Sequence, residues 1–306
     1  EDALEIRRRI FNAFEEAEKS EDPDRQRELL TFVIVGGGAT GVELAGALGE
    51  LAHSTLKNDF RNINPTQARI LLIEGGERIL PGFNPGLSVK AEKALRKLGV
   101  SILTRTQLVE IDGDTVHLHS PGEDSEIRAA TVLWAAGVKA NVLGEKLAAK
   151  TGAATDKSGR IIVTEYLTVP GYENIFVVGD MAHFAHQTGE PLPGVAPVAM
   201  QEGRYVASMI KRKLSGKPLK PFQYLDRGSM AVIGRNSAIA QFKKWKIGGW
   251  FAWITWLFVH IAYLIEFDNK LLVLIQWAYN YFTRKRGARL ITTEKERCHQ
   301  IESRNE

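Results

Sequence analysis

The residues best suited to chemistry in this 306-residue sequence are three glycines spaced as G-x-G-x-x-G, at Gly36, Gly38 and Gly41. They follow a β-branched segment, residues 31–35, and open a segment with small and apolar residues at helical spacing. In a strand–turn–helix context such glycines allow a tight turn, close approach of a pyrophosphate to the backbone, and close packing of the helix. The helix N-terminus adds free N–H groups and partial positive charge. The pattern therefore predicts a dinucleotide-binding loop.

An acidic residue, Glu74, ends the next buried strand and could accept hydrogen bonds from ribose hydroxyls. A carboxylate there also repels a 2′-phosphate, so NADH is favoured over NADPH. Its distance from the loop exceeds the usual spacing of about 20 residues, because a loop at residues 57–68 intervenes. Two other interpretations stay open: a glycine-rich turn in an unrelated α/β domain, and Glu74 as a surface acid at a strand end.

The elements that must position these residues indicate an α/β fold, in which strands alternate with helices before an antiparallel meander. One charged helix is predicted over residues 1–28 and an amphipathic helix over residues 87–98. Another helix is predicted from Val198, with Pro197 in its first turn. The predicted strands are residues 31–35, 69–74, 100–103, 107–111, 115–118, 131–134, 160–163, 174–178, 229–233 and 238–242.

The composition is that of an ordinary folded protein, with 44% hydrophobic and 25% charged residues. It excludes disordered, collagen-like and disulfide-stapled chains. The net charge of +4 is small for this length, so no nucleic-acid partner is predicted. The single cysteine, Cys298, excludes a disulfide or a two-cysteine redox centre within this chain. The charged first helix lacks the apolar core of a signal peptide.

Two apolar runs, residues 247–265 and 271–282, predict an amphipathic helical hairpin near the C-terminus. The first is just long enough to span a bilayer of about 30 Å, but the second is too short to return as a helix. Basic residues flank the pair at 243–246 and 284–289. A hairpin lying in the membrane interface would hold both basic clusters on one anionic leaflet. A true span and a buried dimer contact stay open. The aromatic residues predicted at headgroup depth are Trp250, Trp253, Trp256, Trp277, Tyr279 and Tyr281.

Five segments together resemble the type II NADH dehydrogenases, the single-subunit, non-proton-pumping NADH:quinone oxidoreductases among the two-dinucleotide-binding-domain flavoproteins. The resemblance runs from the first helix to about residue 290. It implies that NADH passes a hydride to FAD and that a membrane quinone then takes two electrons. Sulfide:quinone oxidoreductases, which use paired cysteines, are disfavoured by the single cysteine. The segments are residues 36–43, 131–137, 174–180, 192–203 and 226–235.

The resemblance implies two glycine fingerprints, an early one for FAD and a second for NADH, and this sequence has one. Its place beside Glu74 and before Gly137 corresponds to the second. We therefore expect a Rossmann-like NADH domain inserted in a partial FAD-binding domain, equivalent to the C-terminal two-thirds of such an enzyme. The chain should bind NADH weakly and not retain FAD. The expected divisions are a linking helix (1–30), the NADH-binding domain (31–137), the C-terminal half of the FAD-binding domain (138–242), and anchoring helices with a polar tail (243–306).

The resemblance also implies flavin contacts. Asp180, which follows Gly179, would meet the ribityl hydroxyls of the flavin. The helix beginning near Val198 and Ala199 would aim its N-terminus at the pyrimidine edge of the ring, where partial positive charge stabilises the anionic reduced flavin. Asp180 as a turn aspartate at a strand end is the alternative. Ala136 and Gly137 complete the implied cofactor-binding set, with Gly36, Gly38, Gly41, Glu43 and Glu74.

Two residues are implied to be catalytic. Glu43 would lie near the flavin and the nicotinamide, unless it is only a polar residue on the helix surface. The quinone-site pattern of the resembled enzymes has two glutamines four residues apart, and this sequence has Pro197 at the first position and Gln201 at the second. No metal site is predicted, because His183 and His186 read better as loop histidines than as a metal-binding pair on a helix.

The expected function is flavin-dependent NADH oxidation with electron transfer to a membrane quinone in a respiratory chain. The protein would lie peripherally on an anionic membrane surface, at the cytoplasmic face of the bacterial inner membrane, with a homodimer left open. Two other functions stay open: an NADH-dependent flavoprotein reductase of a disulfide or a protein electron carrier, and a membrane-bound dinucleotide-binding module without turnover.

Overall fold

A computed structural model describes residues 2–263 and 267–283 of the chain. It divides into two compact units, which are described separately. The first consists of Glu1–Ala136 and Ser229–Glu306, and the second is Gly137–Gly228. The functional divisions expected from the sequence, at residues 30, 137 and 242, concern cofactor binding and stay predictions.

The elements of the described residues are as follows. The helices are α1 (Asp2–Lys19), α2 (Pro23–Leu29), α3 (Ala39–Glu50), α4 (Pro85–Lys97), α5 (Val142–Thr151), α6 (Ala196–Leu214), α7 (Trp250–Tyr263) and α8 (Phe267–Thr283). The strands are β1 (Thr31–Val35), β2 (Arg69–Glu74), β3 (Val100–Thr104), β4 (Gln107–Asp112), β5 (Thr115–Ser120), β6 (Glu123–Arg128), β7 (Thr131–Trp134), β8 (Ile161–Ile162), β9 (Thr168–Val169), β10 (Tyr172–Phe176), β11 (Ala182–His183), β12 (Ser229–Gly234), β13 (Ser237–Phe242) and β14 (Trp245–Gly249).

A parallel sheet with the strand order β3-β2-β1-β7 forms the core of the first unit. Every residue of β1 is buried, as expected for a strand covered on both faces. Phe32 and Ile34 pack in the core that includes residues of α1, α3 and α4, whereas Val33 and Val35 pack with residues of β5. Because β1, β2 and β7 are parallel, their carboxyl ends meet at one edge. Gly36 and Glu74 therefore lie at the same edge.

Two antiparallel sheets complete the first unit. The meander β4-β5-β6 packs Val116 and Leu118 of its middle strand against the parallel sheet. The second sheet has the order β12-β13-β14, and its middle strand buries Ala238, Ile239 and Ala240 completely. Helix α3 packs on β12 and helix α7 packs on β13. The second sheet is thereby in contact with both α3 and α7.

The second unit is built from short strands and two helices. Strands β8 and β11 pair in parallel, and β9 and β10 pair antiparallel. Its apolar core contains Phe184, whose ring meets that of Phe222 edge-on with centroids 5.2 Å apart. A short 3₁₀ turn, Gly179–Met181, follows β10 and contacts α6. This turn and the start of α6 form the part of the unit where site residues were predicted.

Most predicted elements match the structure, and strands β1, β2 and β7 do so residue for residue. The single helix predicted over residues 1–28 is wrong. The structure has two helices, because Pro23 cannot continue α1 and instead starts α2, whose N-terminus is capped by Asp22. Strand β6 was not predicted, since its sequence, EDSEIR, is mostly polar and exposed. It exists because it pairs along its length with β5.

The apolar run at residues 247–265 does not form one helix, contrary to the prediction. Trp245–Gly249 is strand β14, paired with β13, and α7 begins only at Trp250. Gly249, at φ +79°, ends the strand in a conformation that favours glycine. Helices α7 and α8 contact each other through Trp256 and Trp277, whose rings stack 5.5 Å apart. Within the described residues, no helix has both the length and the apolar character needed to cross a membrane. The basic cluster predicted at residues 284–289 lies outside the described residues.

A candidate nucleotide loop and a carboxyl-lined cavity

The turn after β1 needs glycine at its first position. Gly36 has a φ of +109°, and its amide donates to the Ile73 carbonyl at 2.8 Å. A Cβ atom on Gly36 would lie 2.8 Å from the backbone nitrogen of Ala136, at the end of the neighbouring strand. The predicted residues Gly36 and Ala136 are therefore brought into direct backbone contact. The ends of the adjacent strands β1 and β7 are therefore packed against each other at this edge of the sheet.

The other two fingerprint glycines act differently from each other. A Cβ atom on Gly41 would lie 1.8 Å from the Gly36 carbonyl oxygen, so the first turn of α3 rests directly on the loop. A Cβ atom on Gly38 would meet nothing within 4 Å. Gly38 is the N-cap of α3 and has no side chain to cap the first-turn amides. Free amides beside open space are the arrangement that binds a phosphate at a helix N-terminus.

Glu74 connects the loop to the second strand. Its Oε2 atom accepts from the Gly37 amide at 2.7 Å, and its Oε1 atom accepts from the Gly76 amide at 2.6 Å. A Cβ on Gly37 would lie 2.8 Å from that Oε2 atom. Gly37 has no role in the G-x-G-x-x-G pattern, because its contact with Glu74 comes from the parallel register of β1 and β2. The run of three glycines was the only signal for it.

Trp134 is a second residue at this edge that sequence reasoning did not assign. It ends β7 opposite Val35, and its side chain is 64% exposed. Its indole Nε1–H donates to the carbonyl of Ala136 at 2.7 Å. The indole therefore holds the turn that Gly36 approaches. Gly137, the next residue, has a φ of +71° and lets the chain leave the sheet.

Glu43 lies on α3 but is directed at β12. Its Oε1 atom accepts from the Val232 amide at 3.1 Å. Burial raises the pKa of this carboxyl, and the Val232 amide and His260 oppose the shift. Its predicted position beside a nicotinamide and a flavin stays a prediction.

The predicted flavin residues of the second unit meet at one cavity. Gly179, at φ +67°, approaches Ala199 of α6 so closely that a Cβ on it would lie 3.3 Å from the Ala199 Cβ. Asp180 follows in the 3₁₀ turn and is exposed. The cavity has a volume of about 220 Å³. Its lining residues are Val138, Ser158, Arg160, Gly179, Asp180, Ala182, Leu192, Pro193, Gly194, Val198 and Glu202.

Glu202 was not predicted as a site residue, yet it is the most buried group of this cavity. It is 1% exposed, and its Oε2 atom accepts from the Gly179 amide at 2.5 Å. Burial raises the pKa of Glu202 to about 7, with the Gly179 amide opposing the shift and the nearby Asp180 adding to it. In the sequence, the signal for Glu202 was its position directly after the predicted site residue Gln201.

The side-chain amide of Gln201 makes two hydrogen bonds within the second unit. Its Nε2 atom donates to the Leu225 carbonyl, and its Oε1 atom accepts from the Leu225 amide, both at 3.0 Å. The side chain therefore ties α6 to the segment at Leu225. Its catalytic role stays a prediction.

The two histidines considered as a metal pair have separate partners. His183 lies in β11, not on a helix, and its Nδ1 atom is 2.8 Å from Asp156 Oδ2. His186 Nε2 is 2.8 Å from the Val163 carbonyl. Although burial alone would raise the pKa of Asp156, hydrogen bonds from His183 and Arg160 hold it well below its usual value. The described part of the chain has no cluster of three or more His, Cys, Asp or Glu suited to a metal ion.

Comparison with known proteins identifies the family. Residues 4–203 match the family model described as pyridine nucleotide-disulphide oxidoreductase. The chain belongs to this family. Residues 227–286 match a second model, described as the NDH2 C-terminal domain.

Individual proteins are also similar to this chain. It is 43% identical over 299 residues to the type II NADH:quinone oxidoreductase Ndh of Mycobacterium tuberculosis, covering 96% of this chain and 64% of that protein. It is 32% identical over 238 residues to the type II NADH:quinone oxidoreductase of Staphylococcus aureus, covering 78% of this chain and 57% of that protein. The chain therefore spans roughly three-fifths of the length of these relatives.

A solved structure has the same fold. The NDH2 of Plasmodium falciparum in complex with NADH superimposes with a TM-score of 0.82 at 19% identity, covering 92% of this chain and 71% of that one. The predicted resemblance to type II NADH dehydrogenases and the predicted α/β fold are both confirmed. The roles of individual site residues stay predictions.

Proposed function

We propose that this chain supplies the NADH-binding and acceptor-side part of a type II NADH:quinone oxidoreductase. The whole enzyme would oxidise NADH through FAD and reduce a membrane quinone in a respiratory chain, without pumping protons. The observation that carries the proposal is the Glu74 carboxylate, which accepts the Gly37 amide beside the open N-terminus of α3. An acid held against a phosphate loop is suited to grip the ribose next to a bound pyrophosphate.

The proposed NADH site has a distinct task for each group. The first-turn amides of α3 would bind the pyrophosphate, because the backbone at Gly38 faces open space. Glu74 would accept the ribose hydroxyls and repel a 2′-phosphate. Trp134 and Gly36 would hold the Ala136 turn in place at the same edge. We propose residues 31–137 as the NADH-binding domain on this basis.

The second unit has groups that fit one end of a flavin cofactor. Asp180 is exposed at the cavity and can accept from ribityl hydroxyls, and the first turn of α6, near Val198, lies beside it. The cavity is smaller than ligand pockets of about 300–1,000 Å³, so these residues would enclose only part of FAD. When bound, FAD supplies hydride acceptance and electron transfer to the acceptor. Asp180 and the first turn of α6 would position the flavin, and Asp180 would place a carboxylate beside it.

Calorimetric titration of the purified chain tests the proposal. NADH should bind at least about tenfold more tightly than NADPH, because a like charge facing the 2′-phosphate costs several kcal/mol. Equal affinities, or no heat with NADH, would contradict the proposed nucleotide site. A full-length form reconstituted with FAD should then reduce a quinone faster than a soluble disulfide or protein acceptor. The reverse preference would support the alternative reductase. We expect the chain alone to be colourless, and a flavin absorption band would contradict that expectation.

We further propose that α7 and α8 attach the protein to an anionic membrane surface, at the cytoplasmic face of the bacterial inner membrane. The support is the exposed apolar surface of both helices, which includes Phe251 at 71% and Phe258 at 68% exposure. Trp250 and Tyr279 are also exposed, at 50% and 59%, and such side chains prefer headgroup depth. Lys244 and Lys246, between β13 and α7, supply positive charge next to the helices.

Sedimentation with vesicles tests this attachment. Replacing both Phe251 and Phe258 by serine should lower binding to phosphatidylglycerol-containing vesicles by at least about tenfold, since each buried phenyl ring is worth about 1.5–3 kcal/mol. Val109→Ser, at a 67% exposed position on β4, is the matched control and should change nothing. If instead the double variant leaves vesicle binding intact and converts a dimer to a monomer in ultracentrifugation, the face is a contact in a homodimer.

A further inference from the structure

Glu202 is a buried acid whose position in the fold calls for an explanation. It lies on α6 and is 1% exposed. A carboxylate in such a place is costly unless it is hydrogen-bonded or takes a proton. Its Oε2 atom accepts from the Gly179 amide at 2.5 Å. This bond joins α6 to the turn that carries Asp180.

The other oxygen of Glu202 is placed to exchange a proton. Glu202 lines the cavity, and no group of the described residues donates a hydrogen bond to its Oε1 atom. No side-chain oxygen of the described residues is both fully buried and without a hydrogen-bond partner. The Oε1 atom is therefore accessible from the cavity rather than sealed in the core. Solvent protons can reach it by that route.

The charged groups around the cavity favour proton uptake at this oxygen. Asp180 lines the same cavity and adds a second negative charge. Among the described residues that line the cavity, Arg160 is the one cationic side chain. It donates through Nε to Asp156 Oδ2 at 2.7 Å, and His183 binds the same carboxylate. The positive charge near the cavity is thus already paired with Asp156. Glu202 and Asp180 line the same cavity, and Arg160 is already paired with Asp156. Ionisation of both carboxyls at once is therefore disfavoured.

We propose that Glu202 is a positioning residue for the Gly179–Asp180 turn and that it reversibly binds a proton from the cavity, which changes the charge of the cavity by one unit. A protonated carboxyl still accepts the Gly179 amide through its carbonyl oxygen, so the turn keeps its hold in both states. The identity of the ligand rests on the proposed function: an anionic flavin at this cavity binds better when Glu202 is protonated.

The sign of the effect on stability follows from the raised pKa. Burial, aided by Asp180, raises the pKa of Glu202 to about 7 from 4.5. The folded state therefore binds a proton more tightly than the unfolded state does. The stability that this provides is complete below the unfolded pKa and is lost as the pH rises through the folded pKa. Glu202→Gln, which cannot ionise, should gain melting temperature relative to wild type between about pH 5 and about pH 8.

Carbon NMR of the full chain labelled at glutamate side-chain carboxyls tests proton binding directly. One resonance should titrate near pH 7, well above the ordinary glutamate value of about 4.3, and be absent from Glu202→Gln. Glu190→Gln, at an exposed site of the same unit, is the matched control and should leave the Glu202 resonance and its titration unchanged. A Glu202 resonance that titrates in the ordinary range would overturn the proposal.

Hydrogen exchange of the Gly179 amide tests the positioning role. Its protection should be kept in Glu202→Gln, which retains an acceptor, and should fall at least about tenfold in Glu202→Ala, which loses it. Unchanged protection in the alanine variant, with its melting temperature close to wild type, would exclude the role. Neither measurement requires NADH or flavin, so a failed NADH titration would count against the proposed function and not against this inference.

Discussion

Glu74→Gln should weaken NADH binding by about 10- to 100-fold and remove most of the preference for NADH over NADPH. The carboxylate accepts from both the Gly37 and the Gly76 amides. A glutamine side chain offers one acceptor oxygen, and its NH₂ group would face the second amide. Hydrogen bonds to a charged group contribute about 1.5–3 kcal/mol each, which corresponds to the expected loss. The 2′-phosphate of NADPH would also meet no negative charge.

The measurement is calorimetric titration of both dinucleotides into each variant. Glu77→Gln is the matched control, because this acid is three residues away, 78% exposed at its side chain and paired with Arg105 outside the loop. It should leave both affinities within about twofold, as a surface ion pair contributes little. If Glu74→Gln and Glu77→Gln behave alike, Glu74 has no part in nucleotide selection.

Gly41→Ala should abolish detectable NADH binding and lower the melting temperature. The new methyl group would lie 1.8 Å from the carbonyl oxygen of Gly36, which belongs to the backbone and has no rotamer to escape into. Helix α3 must move away from the loop, and this removes the first-turn amides from the pyrophosphate position. Overpacking of this kind costs about 1–3 kcal/mol or more in stability. Thermal unfolding and NADH titration of the same preparation measure both effects.

Gly203→Ala is the matched control for the helix glycine. Gly203 lies inside α6, and a Cβ atom there would meet nothing within 4 Å. Alanine is favoured over glycine in a helix interior by about 1 kcal/mol, so this variant should keep or gain stability and bind NADH normally. If Gly41→Ala also folds and binds like wild type, α3 does not rest on the loop as described.

The parallel sheet and the loop could be predicted because their signals are local. Strand β1 is a run of buried β-branched and aromatic residues, TFVIV, and glycines follow it at once. The same holds for the strand that ends at Glu74. The edge strand β6 and the strand β14 could not be predicted in this way. They owe their conformation to pairing with β5 and β13, which a window along the chain does not contain.

The candidate site shows the same division. The spacing predicted Gly36, Gly41 and Glu74, since tight turns and strand ends depend on neighbours along the chain. Pairings between distant segments were not predictable, because they depend on which backbone atoms the fold brings together. Three of these pairings are Gly37 with Glu74, Trp134 with Ala136, and Gly179 with Glu202.

The sequence alone therefore determined the α/β class, the glycine turn after β1 and the family resemblance, because glycine conformation and hydrophobic period are properties of adjacent residues. Tertiary structure alone decided which groups surround each of these acids. Glu74 holds two amides at an open edge, whereas Glu202 is enclosed with one amide and a neighbouring carboxyl. Burial and the distance between charges set the proton affinity of an acid, and both arise only when the chain has folded.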